Sequence, residues 1–535
     1  MRILPALSAA FVLTSSIPAA AQASAAPKLL IVISVDQFGA DLFDEYRPRF
    51  TAGLARLSSG TVFRNGYQGQ AATETCPGHS TILTGSLPAR TGIVANSWID
   101  QSAARADKKI YCAEDERVPG STYRNYTVSA VHLKVPTLGD ILKKLSPDGQ
   151  NVAVAGKDRA AVMMSGHSVD QRWYWNGKQF VTDLALAPAP RSIGLANAGI
   201  ARLVATAEAP LDPPPYCQAK AKLVPLSNGV TVGGGRLARA AGDYEAFRAS
   251  PDFDGATLAV AAGLIQDMKL GRDRAPDVLS IALSATDYLG HTYGSEGEEM
   301  CLQMYALDRE LGDFFRALDA MRLDYAVALT ADHGIEDIPE RSGGARADPA
   351  LAPSAMGTKL SQALGLPGPL LAGGLGGDVY LAPSIPSSQR AKVLAEAARL
   401  YREHPQVAAV FTKDELGKLA LPTGAPSAWT LEQRARASFD RDRSGDLVVL
   451  LKERVSLLTK PTHGDVATHG SAWDYDRRVP ILFWRTGMAA SDRAEAIDTA
   501  DIMPTLAAMI GIPIDASSID GRCLAGIASI ACPVR

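Results

Sequence analysis

Along this chain, short aliphatic runs alternate with stretches whose apolar residues recur every three or four positions. Leu29-Leu30-Ile31-Val32-Ile33-Ser34-Val35 stops at Asp36, and Asn151–Ala155 stops at Gly156-Lys157-Asp158-Arg159. Val278–Leu283 ends shortly before Asp287, Tyr325–Leu329 shortly before Asp332-His333, and Val479–Trp484 reads as a further buried strand. Leu258–Leu270 and Leu302–Met321 carry helical spacing between them. Runs without polar alternation belong to strands buried on both faces. Strands alternating with helices predict an α/β fold, a mostly parallel central sheet with helices on both faces. Polar clusters at the C-terminal ends of such strands mark the ligand-binding edge. Two stretches break the rhythm, at about 171–253, which holds Trp173-Tyr174-Trp175, and at about 335–463. Both are expected to be cap insertions in a single catalytic domain spanning 24–535.

Composition narrows the class. The 535 residues carry 54 Lys+Arg against 57 Asp+Glu, a net charge of −3, with 47% apolar and 21% charged residues. Such a balance excludes a disordered chain and lacks the basic face that nucleic-acid phosphates require. Arg2 is followed by an uncharged apolar run and then Ala19-Ala20-Ala21-Gln22-Ala23, a signal-peptide pattern with cleavage expected after Ala23. No later stretch has the ~18 uninterrupted apolar residues of a membrane span. A periplasmic or secreted monomer is the expected state. Export permits disulfides among the six cysteines. Cys523 with Cys532 is the favoured pair, and the other four leave three connectivities open.

Only eight histidines occur, so their company is informative. Asp287-x-x-x-His291 sets a carboxylate and an imidazole on one helical face. Asp332-His333-Gly334 directly follows a strand, Asp36 ends another, and His469-Gly470-Ser471 precedes the last. Carboxylate oxygens and imidazole nitrogens are zinc ligands, and two neighbouring ions would use roughly six or seven of them. Thr75-Cys76-Pro77-Gly78-His79 leads into an apolar helical run. A hydroxyl there sits at a helix N-terminus, where free N–H groups favour an anion. Thr75 reads equally as an N-cap worth ~1 kcal/mol.

Val35-Asp36-Gln37, Thr75-Cys76-Pro77-Gly78-His79, Leu83-Thr84-Gly85-Ser86-x-Pro88, Gly92-Ile93-x-x-Asn96, Asp287-x-x-Gly290-His291, Ala331-Asp332-His333-Gly334 and Thr468-His469-Gly470-Ser471 follow one another in the order of the alkaline phosphatase superfamily. With Lys157-x-Arg159 they resemble the PafA-type, threonine-nucleophile alkaline phosphatases of bacteria, the Sphingomonas alkaline phosphatase among them, over roughly Lys28 to Pro513. The resemblance implies two zinc ions. One would be held by Asp287, His291 and His469, the other by Asp36, Asp332 and His333 with the Thr75 oxygen as its inner ligand. It implies attack by Thr75 on small phosphate monoesters, a phosphothreonine intermediate, and phosphate contacts from the Cys76 N–H and Asn96. Lys157 and Arg159 would reach the extra charged oxygen that distinguishes a monoester from a diester.

A nucleotide pyrophosphatase/phosphodiesterase of the same superfamily is the alternative, and Lys157 and Arg159 speak against it. A sulfatase would need an Arg where His79 stands, and a cofactor-independent mutase suits an exported chain poorly. A binding protein with structural zinc would be expected to use closed, Cys-rich sites. Thr462-His463-Gly464 duplicates Thr468-His469-Gly470, and the resemblance favours His469, because Ser471, Asp474-Tyr475-Asp476 and Val479-Pro480 follow it as in the family. His79 is read as a packing or supporting residue and Glu74 as pointing away from Thr75. No dedicated substrate pocket is legible, so broad leaving-group tolerance is expected.

Overall fold

In a computed structural model, which describes residues 26–185, 188–227, 229–527 and 532, a ten-stranded sheet forms the centre of the molecule. Residues 1–23, expected to be a signal peptide, lie outside the described residues. The strand order is Ser491–Arg493, Thr61–Tyr67, Arg478–Arg485, Tyr325–Thr330, Leu29–Val35, Asp277–Leu283, Asn151–Ala155, Gln171–Trp175 and Phe180–Val181, with Ile497–Asp498 also pairing to Thr61–Tyr67. The five strands from Tyr325–Thr330 to Gln171–Trp175 run parallel, and Arg478–Arg485 is antiparallel to both of its neighbours. The α/β class and the mostly parallel centre agree with the hydrophobic pattern.

Leu29–Val35 shows why that pattern has no alternation. Leu29, Ile31, Ile33 and Val35 pack into one core cluster, Leu30 and Val32 into another on the opposite face, so every residue of the strand is buried. Register then fixes the functional edge. Val35 lies opposite Leu283 and Ser34 opposite Thr330, so Asp36, Ser284 and Asp332 leave the sheet together.

The first stretch expected as an insertion contributes Gln171–Trp175 and Phe180–Val181 to the central sheet itself. Its aromatic run is core: Trp175 packs against Phe180, Phe247 and Phe253 at 5.5–5.6 Å between ring centroids, and Trp173 is buried. The second stretch builds a separate four-stranded antiparallel sheet from Leu371–Gly373, Asp378–Leu381, Leu447–Leu451 and Val407–Thr412. Helices Pro353–Leu364 and Ser387–Arg402 help cover its own core of Leu360, Val379, Val393 and Leu447. Disulfides join Cys76 to Cys112, Cys217 to Cys301 and Cys523 to Cys532. The C-terminal pair is the favoured one, and the structure selects one of the three open connectivities for the rest. No helix among the described residues is long and apolar enough to cross a membrane.

Asp498 caps the turn before Ile502–Met509, its Oδ1 accepting the Ala500 N–H at 2.9 Å. Its Oδ2 is buried without a hydrogen-bond partner among the described residues. Burial, and then the neighbouring Asp501 charge, push this carboxyl up to about 7. A raised carboxyl pKa makes the native state bind the extra proton, so stability contributed at low pH is lost as pH rises from about 4 towards 7. Asp498→Asn keeps the Oδ1 cap and removes the buried charge. Urea unfolding should show it more stable than the parent by ~1–3 kcal/mol at pH 8 and indistinguishable at pH 4.

Candidate active site

The strand ends converge on a cluster of buried carboxylates. Asp36 donates its N–H to Leu283 O at 2.8 Å, and the chain then turns through Gln37 at φ 66°. Gln37 donates its N–H to Asp332 Oδ1 (3.0 Å) and its Nε2 to Asp287 Oδ1 (3.1 Å), while Ser284 Oγ donates to Asp36 Oδ2 (2.8 Å). Asp36, Asp287 and Asp332 are at most 2% exposed. Three carboxylates in such a place require compensating positive charge.

The imidazoles are set to supply ligand atoms. His291 Nδ1 lies 2.9 Å from Ala467 O, His333 Nδ1 3.0 Å from Gly334 O, and His469 Nδ1 2.8 Å from Thr73 O. A carbonyl only accepts, so Nδ1 carries the proton and each neutral ring presents its Nε2 lone pair elsewhere. Those Nε2 atoms face the carboxylates: His291 and His469 lie 3.5 and 3.6 Å from Asp287 Oδ1, and His333 lies 3.2 Å from Asp332 Oδ2. Backbone-anchored imidazoles of this kind are the usual support of metal ligands.

The ligand atoms form two groups, each within 4.8 Å: Asp287 with His333 and His469, and Asp36 with His79 and Asp332. His333 therefore stands between the groups, its ring stacked 3.6 Å from that of His469. His79 lies inside the cluster, its Nε2 3.2 Å from Asp36 Oδ1 and its Nδ1 3.3 Å from Asp332 Oδ2. Its position four residues after Thr75 on a helix is the signal that could have placed it there. Asp36 Oδ1, Asp332 Oδ2, His79 Nε2 and His333 Nε2 are buried, and none makes a hydrogen bond of proper geometry among the described residues. The unshared oxygens of Asp36 and Asp332 and the Nε2 lone pair of His333 fit a cation centre, and mixed Asp/His donors suit zinc.

The charges adapt accordingly. Burial opposes ionisation of Asp287 and Asp332, but Lys157 together with His291 and His469 outweighs it for the first and His333 with His79 for the second, leaving both well below the usual carboxylate range. Burial lowers His79 less than Asp332 and Asp36 raise it, to about 10. Burial and the adjacent His333 depress His469 well below the ordinary imidazole value.

Thr75 opens the helix Thr75–Thr84 and is 1% exposed. Glu74 takes the cap position, so the Thr75 hydroxyl is left for the site, where Arg159 Nη2 approaches Oγ1 at 3.4 Å. Gly78 lets this helix reach the carboxylates, for a Cβ there would lie 2.1 Å from Asp332 O. Glu74 Oε2 accepts the Asn96 N–H at 2.6 Å and so turns from Thr75. The Cys76 N–H is given to Asn96 Oδ1 at 2.8 Å, which leaves Asn96 Nδ2 as the local amide donor. Lys157, buried, pairs with Asp287 Oδ2 at 2.5 Å and Asp36 Oδ2 at 3.0 Å. Between it and Arg159, Asp158 is held by the hydroxyls of Tyr111 and Tyr126, both at 2.7 Å. That pair of tyrosines, with Ser284, lacked a motif to announce it. His463 lies exposed on the turn Thr462–Asp465, away from the role its duplicate fills.

A hydroxyl at a helix N-terminus, beside fixed cations and buried metal-type donors, is suited to attack a phosphoryl group. Comparison with known proteins agrees. The family model described as type I phosphodiesterase / nucleotide pyrophosphatase matches residues 30–472. The chain is 51% identical to alkaline phosphatase PhoK of Sphingomonas sp. over 513 residues, covering 94% of this chain and 91% of that one. It is 46% identical to alkaline phosphatase PhoD of Zymomonas mobilis, covering 93% and 88%. The crystal structure of wild-type alkaline phosphatase PafA shares the fold with a TM-score of 0.81 at 24% identity, covering 95% of this chain and 100% of that one.

The Lys157 ammonium is what holds Asp36 and Asp287 together here. Lys157→Met should lower the melting midpoint of chelator-treated protein by several degrees, because removing one partner of a buried pair costs ~3–5 kcal/mol. Saturating zinc should recover most of that loss. Calorimetry with and without chelator checks it, and a midpoint indifferent to the substitution would remove Lys157 from this charge balance.

Proposed function

The chain belongs to the type I phosphodiesterase / nucleotide pyrophosphatase family, within the alkaline phosphatase superfamily, and from that premise we propose that it is an exported two-zinc alkaline phosphatase acting through a phosphothreonine at Thr75. It is a phosphoric monoester hydrolase, as its alkaline phosphatase relatives are named. The observation that carries the finer reading is the Thr75 hydroxyl, uncommitted to capping, beside Arg159 and a ring of buried Asp and His atoms whose lone pairs converge.

Asp287, His291 and His469 would hold one ion, and Asp36, Asp332 and His333 with Thr75 Oγ1 the other. Bound there, the ions would neutralise phosphoryl charge and lower the pKa of the Thr75 hydroxyl. Thr75 Oγ1 attacks phosphorus in line with the ester oxygen, the P–O bond to the alcohol breaks, and the phosphoryl group passes to threonine. Water then cleaves the phosphothreonine, releasing phosphate and restoring the hydroxyl. Arg159, already at the nucleophile, pairs with a phosphoryl oxygen, and Asn96 Nδ2 donates to another. Lys157 turns to the anion when divalent cations take over Asp36 and Asp287. A monoester dianion satisfies both Lys157 and Arg159, whereas a diester leaves a buried cation unpaired. Three disulfides among the described residues support an oxidising, extracytoplasmic destination.

Matched monoester and diester substrates test this reading. Monoester kcat/KM should exceed diester kcat/KM by orders of magnitude, and Lys157→Ala/Arg159→Ala should erase the preference by lowering monoester turnover ~100-fold or more. Chelator should abolish activity and zinc restore it. Acid quenching during turnover should trap phosphate on the peptide containing Thr75, and none on Thr75→Ala. A diesterase unaffected by the double substitution would instead favour the pyrophosphatase/phosphodiesterase alternative.

A further inference from the structure

A cavity of about 430 Å³ lies between the loop that enters the Thr75–Thr84 helix and the four-stranded sheet of the second insertion. Its near wall contains Glu74 and Gly470, the chain neighbours of Thr75 and His469. Gly470 runs at φ 112°, and a Cβ there would sit 3.2 Å from Leu457 Cδ1 and 3.8 Å from Glu74 Cγ. With no side chain at Gly470, the cavity wall on the His469 side of the site is backbone alone. Trp98, Tyr380 and Phe439 supply an aromatic lining, and Leu457 joins it next to Gly470. The size and the mix of aromatic walls with few polar groups are those of a small-molecule pocket.

The charge in this space is selective. Asp378 lines it, its Oδ1 accepting the Gly445 N–H at 2.6 Å, and the Glu74 carboxyl is the other acidic group. Both lysines of the rim are engaged elsewhere. Lys108 Nζ donates to Ala103 O at 2.5 Å, and Lys109 Nζ lies 4.0 Å over the Tyr123 ring. Burial pushes both carboxyls up, Asp378 to about 7, so the lining offers mainly rings and uncharged hydrogen-bonding groups, among which a charged leaving group is costly to desolvate.

We propose that this cavity is the leaving-group subsite, and that it makes monoesters of neutral, ring-bearing alcohols the preferred substrates. The proposal rests on the phosphatase reading of Thr75 and narrows the broad tolerance expected when no pocket was legible. The phosphoryl group is fixed at Thr75, Arg159 and Asn96, and a ring on the alcohol reaches past Glu74 to stack within the aromatic lining. Such remote contact raises kcat/KM without altering the reacting atoms.

Ethyl phosphate, 2-naphthylmethyl phosphate and 4-carboxybenzyl phosphate make the test, since their leaving alcohols are of similar acidity. With the zinc-loaded full chain, kcat/KM for the naphthylmethyl ester should exceed that for ethyl phosphate at least tenfold. The carboxybenzyl ester should show no such advantage. Leu457→Trp, which fills the space, and Phe439→Ala, which removes one wall, should each reduce the naphthylmethyl-to-ethyl ratio several-fold. Equal kcat/KM for naphthylmethyl and ethyl esters in the parent enzyme overturns the subsite and leaves the phosphatase reading standing. A ratio unchanged in both variants also overturns it. Failure to hydrolyse any of the three esters overturns the phosphatase reading itself, and the subsite with it.

Discussion

Three carboxylates buried at one edge of a parallel sheet impose the constraint on which the rest of this molecule depends. Asp36, Asp287 and Asp332 are carried there by strand register, and their removal from water costs several kcal/mol each unless positive charge is near. The protein answers with Lys157 between the first two and with His79 between the first and the third. Even so, carboxylate and imidazole atoms remain buried without proper hydrogen bonds among the described residues. Protein groups alone balance this cluster incompletely, and divalent cations are the compact charges that suit its oxygen and nitrogen donors.

The surrounding elements are arranged to hold the Thr75 hydroxyl against that cluster. Gly78 permits the Thr75 helix to abut Asp332. The Cys76–Cys112 disulfide ties the residue after Thr75 to the chain following the Ser97–Ile99 and Lys109–Tyr111 hairpin. Asn96 closes the same corner from both sides, its N–H going to Glu74 and its Oδ1 receiving the Cys76 N–H. Thr75 is thus positioned by bonds at its flanking residues, which leaves its own hydroxyl with Arg159 as its side-chain partner.

What the sequence made legible follows from the range of the forces involved. Continuous apolar runs such as Leu29–Val35 declare a doubly covered parallel sheet, because burial on both faces erases alternation. Strand-end Asp36, Asp332 and His333 were readable since position relative to a strand is a local property. The partition of donors was less so. His333 lies between the two groups and His79 enters one of them, and both facts depend on how a helix packs across the sheet edge. Gln171–Trp175 resembled a cap because its aromatic content and neighbouring polar loops hide a strand that pairs with residues some twenty positions earlier in the chain. The cavity beside Glu74 was invisible in the sequence, since its walls come from segments separated by hundreds of residues.

The Lys157-Asp158-Arg159 turn shows how one short segment can serve both the charge cluster and the substrate. Lys157 takes the extended N-cap position of the helix Asp158–Ser165 and Arg159 lies in its first turn, so the two cations leave the backbone in different directions. One reaches Asp36 and Asp287, the other reaches Thr75. Asp158 could have neutralised either, but Tyr111 and Tyr126 engage its two oxygens and anchor the turn. Lys157 is consequently placed by the same carboxylates that would hold the cations, and Arg159 by the nucleophile that would receive the phosphoryl group. On the proposed function, cation binding and recognition of a doubly charged phosphate would thereby be linked through a single strand-to-helix turn.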